Sequence, residues 1–176
     1  MKRIRLTRFN KEVDGELLWQ TYQDDDFCEF FRRIPPSWTR EDAINFEAHT
    51  QSQLYTILWD EWPVGFAVVT AVCPYSLTCQ VGALLFKDYR DKIVDGFKIA
   101  FWSIFRLAEM LFNKTTIQKM SMRFLTSRQD LVKGCERSGF RKEGEFKNSA
   151  FCYGKLQDEY EYALDKEAFN SISEGV

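Results

Sequence analysis

From Ile4 to Phe9 apolar residues alternate with polar and basic ones, the period of a half-buried opening strand. From Val13 to Phe31 the spacing turns helical, with Leu17, Leu18, Trp19 and Tyr22 at helix-compatible intervals, and Asp24-Asp25-Asp26 marks a break or a new helix start. Pro35-Pro36 forces a turn. Thr39 with Asp42 three residues on has the form of a capping box, which predicts a helix to about Gln51. Strands follow. Gln53 to Asp60 is rich in β-formers, Asp60-Glu61-Trp62-Pro63 reads as a hairpin turn, and Val64 to Val72 is the strongest strand pattern in the chain. Its unbroken apolarity is that of a strand buried on both faces. A turn at Pro74-Tyr75-Ser76 leads to a further strand, Cys79 to Phe86.

The period changes again at Ile93. Up to Phe112, the residues Phe97, Phe101, Ile104, Phe105, Ala108 and Leu111 form one broad apolar face, which predicts a long amphipathic helix. Alternation returns from Ile117 to Phe124, where Met120, Met122 and Phe124 oppose Lys119, Ser121 and Arg123. A short helix is expected over Leu131 to Arg137, ended by Gly139 in a left-handed cap. A hairpin closes the chain, Glu145 to Tyr153 and then Asp158 to Leu164, with Tyr160, Tyr162 and Leu164 on one face. No internal repeat, low-complexity segment or linker interrupts the order β-αα-βββ-α-β-α-ββ. It predicts a single α/β (α+β) domain over residues 1–176, with a mixed, mostly antiparallel central sheet flanked by helices.

Composition narrows the function classes. The 176 residues are 45% hydrophobic, with 16 Phe and 5 Trp, so the chain has the bulk to bury a sizeable core and is not disordered. Lys and Arg total 24 against 26 Asp and Glu, so no global positive field draws nucleic acid or an anionic membrane. The basic start, Met1-Lys2-Arg3-Ile4-Arg5, runs into no long apolar stretch, and a signal peptide is not expected. Asp95, Lys98, Arg106 and Glu109 make the apolar region 93–112 a core helix and not a membrane span. The five cysteines (Cys28, Cys73, Cys79, Cys135, Cys152) form no C-x-x-C pair, and His49 is the single histidine. The expectation is no metal, and reduced thiols in a cytoplasmic protein.

The run Ser127-Arg128-Gln129-Asp130-Leu131-Val132-Lys133-Gly134-Cys135-Glu136-Arg137-Ser138-Gly139-Phe140, followed by Lys142-Glu143-Gly144 and the Tyr153-Gly154 turn, carries a family likeness. Together with the order of elements it resembles the GCN5-related N-acetyltransferases (the GNAT superfamily), most of all the branch acting on ribosomal proteins, protein N-termini and small amines. The resemblance implies acetyl-CoA as cofactor, a primary amine as acceptor and no metal. It implies that main-chain groups of Ala83, Leu84 and Leu85 meet the pantetheine arm. It places a diphosphate loop of the pattern Arg/Gln-x-x-Gly-x-Gly/Ala after Phe86-Lys87-Asp88-Tyr89, where glycines let backbone N–H groups close around phosphate oxygens. This chain reads Arg90-Asp91-Lys92-Ile93-Val94-Asp95-Gly96 there. Arg90 and Lys92 match. Ile93 and Asp95 replace small residues, Asp91 replaces an optional glycine, and Gly96 fits only with a shift of one residue. A carboxylate a few ångströms from phosphate costs about 1 kcal/mol in water and several times that when partly buried.

Two further positions depart from the family. Arg128 stands where many members have a cofactor-contacting Asn, and Cys135 where a Tyr protonates the departing CoA thiolate. A thiol can donate a proton, its reference pKa being about 8.5; a small buried residue is the other reading. Phe27, Phe30, Phe31, Trp38 and Phe46 read as core or as an acceptor wall, and Asp24-Asp25-Asp26 as solvated surface, a cap or an attractor of cationic amine. Two functions stay open. One is acetyl transfer to an amine, with an unassigned carboxylate acting through water as base. The other is a catalytically inactive binding or structural module, similar to divergent acetyltransferase-like proteins of bacteriophages, as a virion component, a homo-oligomer or a host-protein binder.

Overall fold

Seven strands run in the order β1-β2-β3-β4-β7-β9-β8, and every neighbouring pair is antiparallel except β4 with β7. They are β1 (Ile4–Arg8), β2 (Gln53–Trp59), β3 (Trp62–Cys73), β4 (Thr78–Leu85), β7 (Lys119–Leu125), β8 (Arg141–Cys152) and β9 (Lys155–Asp165). The helices are α1 (Lys11–Tyr22), α2 (Arg40–His49), α3 (Ile99–Lys114), α4 (Gln129–Arg137) and α5 (Lys166–Ser173). A separate two-stranded hairpin, β5 (Ile93–Val94) with β6 (Phe97–Lys98), stands between β4 and α3. This computed structural model describes residues 4–23, 39–49, 53–152 and 154–173, and of 46–49, 152 and 173 the backbone alone. The aromatics Phe27, Phe30, Phe31 and Trp38, the acidic run at 24–26, the Pro35-Pro36 turn and the side chains of Phe46 and His49 lie outside them.

Alternation along the strands divides the core in two. Ile57, Ala67, Val69, Val81 and Leu85 face α3, whose Phe101, Ile104, Leu107, Ala108 and Leu111 are buried as its apolar stripe requires. Phe66 and Leu84 point the other way, to Leu18, Tyr22 and Ala43 of α1 and α2. The sheet is therefore covered on both faces, which explains the continuous apolarity of β3. A parallel β4–β7 pair needs a crossover, and α3 supplies it.

Local chemistry fixes the helix ends. Thr39 and Asp42 form the expected capping box, with Asp42 Oδ2 accepting from the Thr39 N–H at 2.8 Å and Thr39 Oγ1 accepting from the Asp42 N–H at 3.2 Å. The start of α1 is tied to the sheet by buried Asp14, whose Oδ2 accepts from the Asn10 N–H and the Thr56 hydroxyl, both at 2.8 Å. At the end of α4, Gly139 sits at φ +75°, with Phe140 N–H donating to the Cys135 carbonyl and Gly139 N–H to that of Glu136. This is a Schellman cap.

Three expectations need correction. The helix expected from Ile93 begins at Ile99, because Asp95-Gly96 (φ +49° and +80°) makes the two-residue turn of the β5–β6 hairpin. The turn after β2 is Asp60-Glu61 alone (φ +48° and +69°), and Trp62 and Pro63 already belong to β3. Helix α5 was not expected. Asp165 Oδ1 caps it by accepting from the Ala168 N–H at 2.9 Å, and Phe169 packs on Phe112 with ring centroids 5.5 Å apart.

Where β3 meets the end of β4 the backbones pinch. A Cβ on Gly65 would lie 2.1 Å from the Leu84 carbonyl oxygen and 2.8 Å from Leu85 Cα, so main chain and not a side-chain tip would have to move. Gly65→Ala is expected to destabilise the fold by about 3 kcal/mol, the upper range for overpacking. A urea-unfolding midpoint unchanged by that substitution would contradict the pinch.

Candidate functional site

β4 and β7 pair over only three positions, Thr78↔Lys119, Cys79↔Met120 and Gln80↔Ser121. β4 continues to Leu85 and β7 to Leu125 with no further pairing between them, so the strands part towards their C-terminal ends and open a crevice in the sheet. Main-chain direction follows from one bond, Phe86 N–H to the Val64 carbonyl at 2.9 Å. Residues of that parity, Leu84 among them, address β3, and those of the other parity, Val81, Ala83 and Leu85, address the crevice. The Leu84 carbonyl lying against Gly65 agrees. Of the three residues expected to meet a pantetheine arm, Ala83 and Leu85 thus turn their amides and carbonyls to the opening, and Leu84 turns its own to β3. The Leu85 carbonyl accepts from Arg90 Nε at 3.1 Å.

β7 leads into α4 and β4 leads through the β5–β6 hairpin into α3, and the Lys98–Asp130 contact brings the two helix N-termini together at the mouth of the crevice, the position where open α/β sheets bind ligands. Their N-cap residues are Lys98 and Arg128, and neither side chain caps its helix. A cation at a helix N-terminus opposes the macrodipole. Carboxylates offset it here. Lys98 Nζ lies 2.9 Å from Asp91 Oδ1 and 3.0 Å from Asp130 Oδ2, while Arg128 grips Asp130 with Nε at 2.9 Å from Oδ1 and Nη2 at 2.8 Å from Oδ2. The Arg128 hydrogen bonds, then that of Lys98, hold the Asp130 carboxyl well below the usual carboxylate range against partial burial. Burial pulls the Lys98 ammonium down, but the bonds to Asp91 and Asp130 outweigh it and leave its pKa raised.

The rest of the segment expected to cradle phosphate is differently occupied. Lys92 places its ammonium 5.0 Å from the Tyr89 ring centroid and 5.8 Å from that of Trp59. Ile93 is 66% exposed and Asp95 is exposed, so neither side chain fills the crevice. The Val94 carbonyl accepts from Trp102 Nε1 at 2.7 Å, the Gly96 carbonyl from Arg137 at 3.4 Å, and Ile99 spends its N–H on the Lys92 carbonyl. Asp91 reaches the mouth, but as a partner of Lys98.

Cys135, on α4, is fully buried and its thiol meets Met122 Sδ at 3.7 Å. Burial, with a smaller push from Glu136, raises its pKa to about 12. Next to it, a Cβ on Gly134 would stand 2.2 Å from two Phe101 ring carbons, so α4 lies directly on α3. Lys98 and Asp130 were not singled out from sequence. The signal was present in Asp95-Gly96, which marks a hairpin and thereby makes Lys98 the residue that opens the helix.

Comparison with known proteins bears on the fold. No protein-family model and no curated protein matches the chain by sequence. Solved structures do match. A spermidine N-acetyltransferase from Vibrio cholerae, in complex with CoA and spermine, superposes with a TM-score of 0.83 at 12% identity over 97% of this chain and 99% of its own. A ribosomal L7/L12 alpha-N-protein acetyltransferase in complex with coenzyme A gives 0.81 at 15% identity over 96% and 97%. A probable GNAT-family acetyltransferase from Chromobacterium violaceum gives 0.77 at 14% identity over 97% and 86%. The chain has the GNAT fold. Among the described residues of this GNAT fold no cluster of three or more His, Cys, Asp or Glu could hold a metal, and no helix is long and apolar enough to cross a membrane.

Two outcomes follow from these environments. Because the folded-state pKa of Asp130 is depressed below 3.8, its stabilising effect is complete above that value and is lost progressively as pH falls from there towards the folded-state pKa. Asp130→Asn should therefore lower the melting temperature at pH 7, with the gap to the parent closing below about pH 4; a gap independent of pH would show that the ion pairs contribute nothing. The thiols should separate as well. Ser76 hydrogen bonds lower the pKa of half-exposed Cys73, whereas burial raises buried Cys79 to about 11. Iodoacetamide at pH 8 should alkylate Cys73 in the native protein well before Cys79 or Cys135, as read by peptide mass spectrometry.

Proposed function

We propose that this protein transfers an acetyl group from acetyl-CoA to a primary amine. The observation that carries the reading is the parting of β4 from β7, which leaves the Ala83 and Leu85 main chain facing a crevice between two helix N-termini. An extended amide-bearing arm laid along that edge would satisfy backbone groups that the sheet leaves without a strand partner. The residues present fit acetyl-CoA along this arm; at its diphosphate end, the helix termini and their basic N-cap residues suit an anion once the exposed carboxylate at the mouth gives way. Bound there, acetyl-CoA would supply an activated acetyl thioester.

The chain's own part is then positional. Main-chain groups of β4 orient the arm, and Arg90, by holding the Leu85 carbonyl, fixes where that strand ends. Holding two reactants in register supplies most of the rate in a reaction that needs no metal. Cys135 serves as packing in this reading. Its thiol is buried and its pKa is far from the value an acid working near neutral pH requires. The acceptor class is a small polyamine or a protein N-terminus, the amines named for the structurally similar acetyltransferases.

A second reading, a GNAT fold retained for binding without catalysis, as in a virion or host-interacting protein, is favoured by one observation. The segment 90–96 is folded into turns and a hairpin in place of a glycine cradle. Acetyl-CoA at 1 mM should stabilise a binder of micromolar affinity by about 4 kcal/mol in thermal or chemical unfolding. Under the first reading, CoA is also released when spermidine or a peptide with a free N-terminus is added. Binding without release over such a panel selects the second reading, and neither binding nor release rejects the first.

A further inference from the structure

Four charged side chains of alternating sign cross the mouth of the crevice, Asp91–Lys98–Asp130–Arg128, each within 3.0 Å of the next. The two cations stand on opposite walls, Lys98 at the start of α3 and Arg128 at the start of α4. Each cation is held by carboxylate oxygens, the acceptor geometry that a phosphate also offers. The two acids differ in how firmly they are held. The Asp91 side chain is 91% exposed and bonded, in this chain of charges, to Lys98 alone, whereas that of Asp130 is 35% exposed, lies in the first turn of α4 and is gripped by both cations.

Resting on the acetyl-CoA reading, we propose that Lys98 and Arg128 are the diphosphate-binding groups of this protein, and that Asp91 is a displaceable stand-in for the phosphate. The glycine-free segment 90–96 is not the recognition element. Its N–H groups at Arg90 and Lys92 are spent on the Lys87 and Tyr89 carbonyls, and its lysine lies over two aromatic rings. Recognition is transferred from backbone N–H groups to two side chains on facing helices. Asp91 swings into solvent when the diphosphate arrives, and little packing resists it because its side chain is already in water. Asp130 stays, keeping Lys98 and Arg128 at a fixed separation. With Asp91 in place the four groups sum to zero charge, and with Asp91 displaced they carry a net +1 to meet the incoming anion.

The test is calorimetric titration of the full chain with CoA, inorganic pyrophosphate and pantetheine. Asp91→Asn should tighten CoA and pyrophosphate about fivefold at low ionic strength, the worth of one like charge a few ångströms away in water. The gain should shrink in 0.5 M salt, and pantetheine affinity should not move. Lys98→Ala should weaken CoA at least about tenfold, as expected for a lost charge-assisted bond, without changing pantetheine, and Lys98→Arg should restore most of the loss. Melting curves confirm that each variant is folded. Unchanged or weaker CoA binding in Asp91→Asn overturns the proposal, as does a Lys98→Ala loss shared equally by pantetheine. If pantetheine binds while CoA ignores every substitution, the latch falls and the acetyl-CoA reading stands. If neither CoA nor pantetheine binds any variant, both fall.

Discussion

A parallel strand pair that stops after three positions is the constraint on which the rest of this molecule turns. Backbone amides and carbonyls in a sheet require partners, and ending a ladder inside the sheet leaves them to water or to a ligand. The surrounding structure keeps that gap open. β4 is held on its other edge by β3, closely enough that Gly65 has no room for a side chain, and β7 is held along its length by β9. With both strands fixed from behind, the separation between them does not close by local rearrangement.

The electrostatics of the mouth follow from the same geometry. Parallel strands deliver both following helices to one end of the crevice, and the two N-termini concentrate partial positive charge there. Lys98 and Arg128 add to that charge and Asp91 and Asp130 remove it, so the site is nearly neutral at rest and strongly charged in its parts. Interactions of this kind are sensitive to ionic strength where exposed, as at Asp91, and less so where partly shielded, as between Arg128 and Asp130.

Much of the architecture was legible in the sequence. The alternation in 117–124, the apolar stripe of α3, the Thr39–Asp42 box and the Gly139 cap each reported a local rule that the tertiary structure kept. The failures share a cause as well. Ile93 to Lys98 has enough apolar residues to extend the helical period of α3, and periodicity outweighed the Asp-Gly turn that breaks it. The last helix rests on Phe169 finding Phe112, a contact between residues far apart in the chain that no local window contains. At the site, the positions of Ala83 and Leu85 were readable as strand, but which of three neighbours faces the opening depends on register with β3. The Lys98–Asp130 bridge joins two helices and was invisible for the same reason.

The crevice is also a seam in time. On one side the sheet is built from β1 to β4, all upstream in the chain, and on the other from β7 to β9, all downstream. Neighbours within each half are antiparallel, while the halves meet through three rungs and the crossover helix. Joining them is a parallel pairing across an intervening helix, a non-local contact of the kind that forms slowly. A molecule lodged between the halves would act as a staple across a boundary that the sheet itself ties with only three rungs.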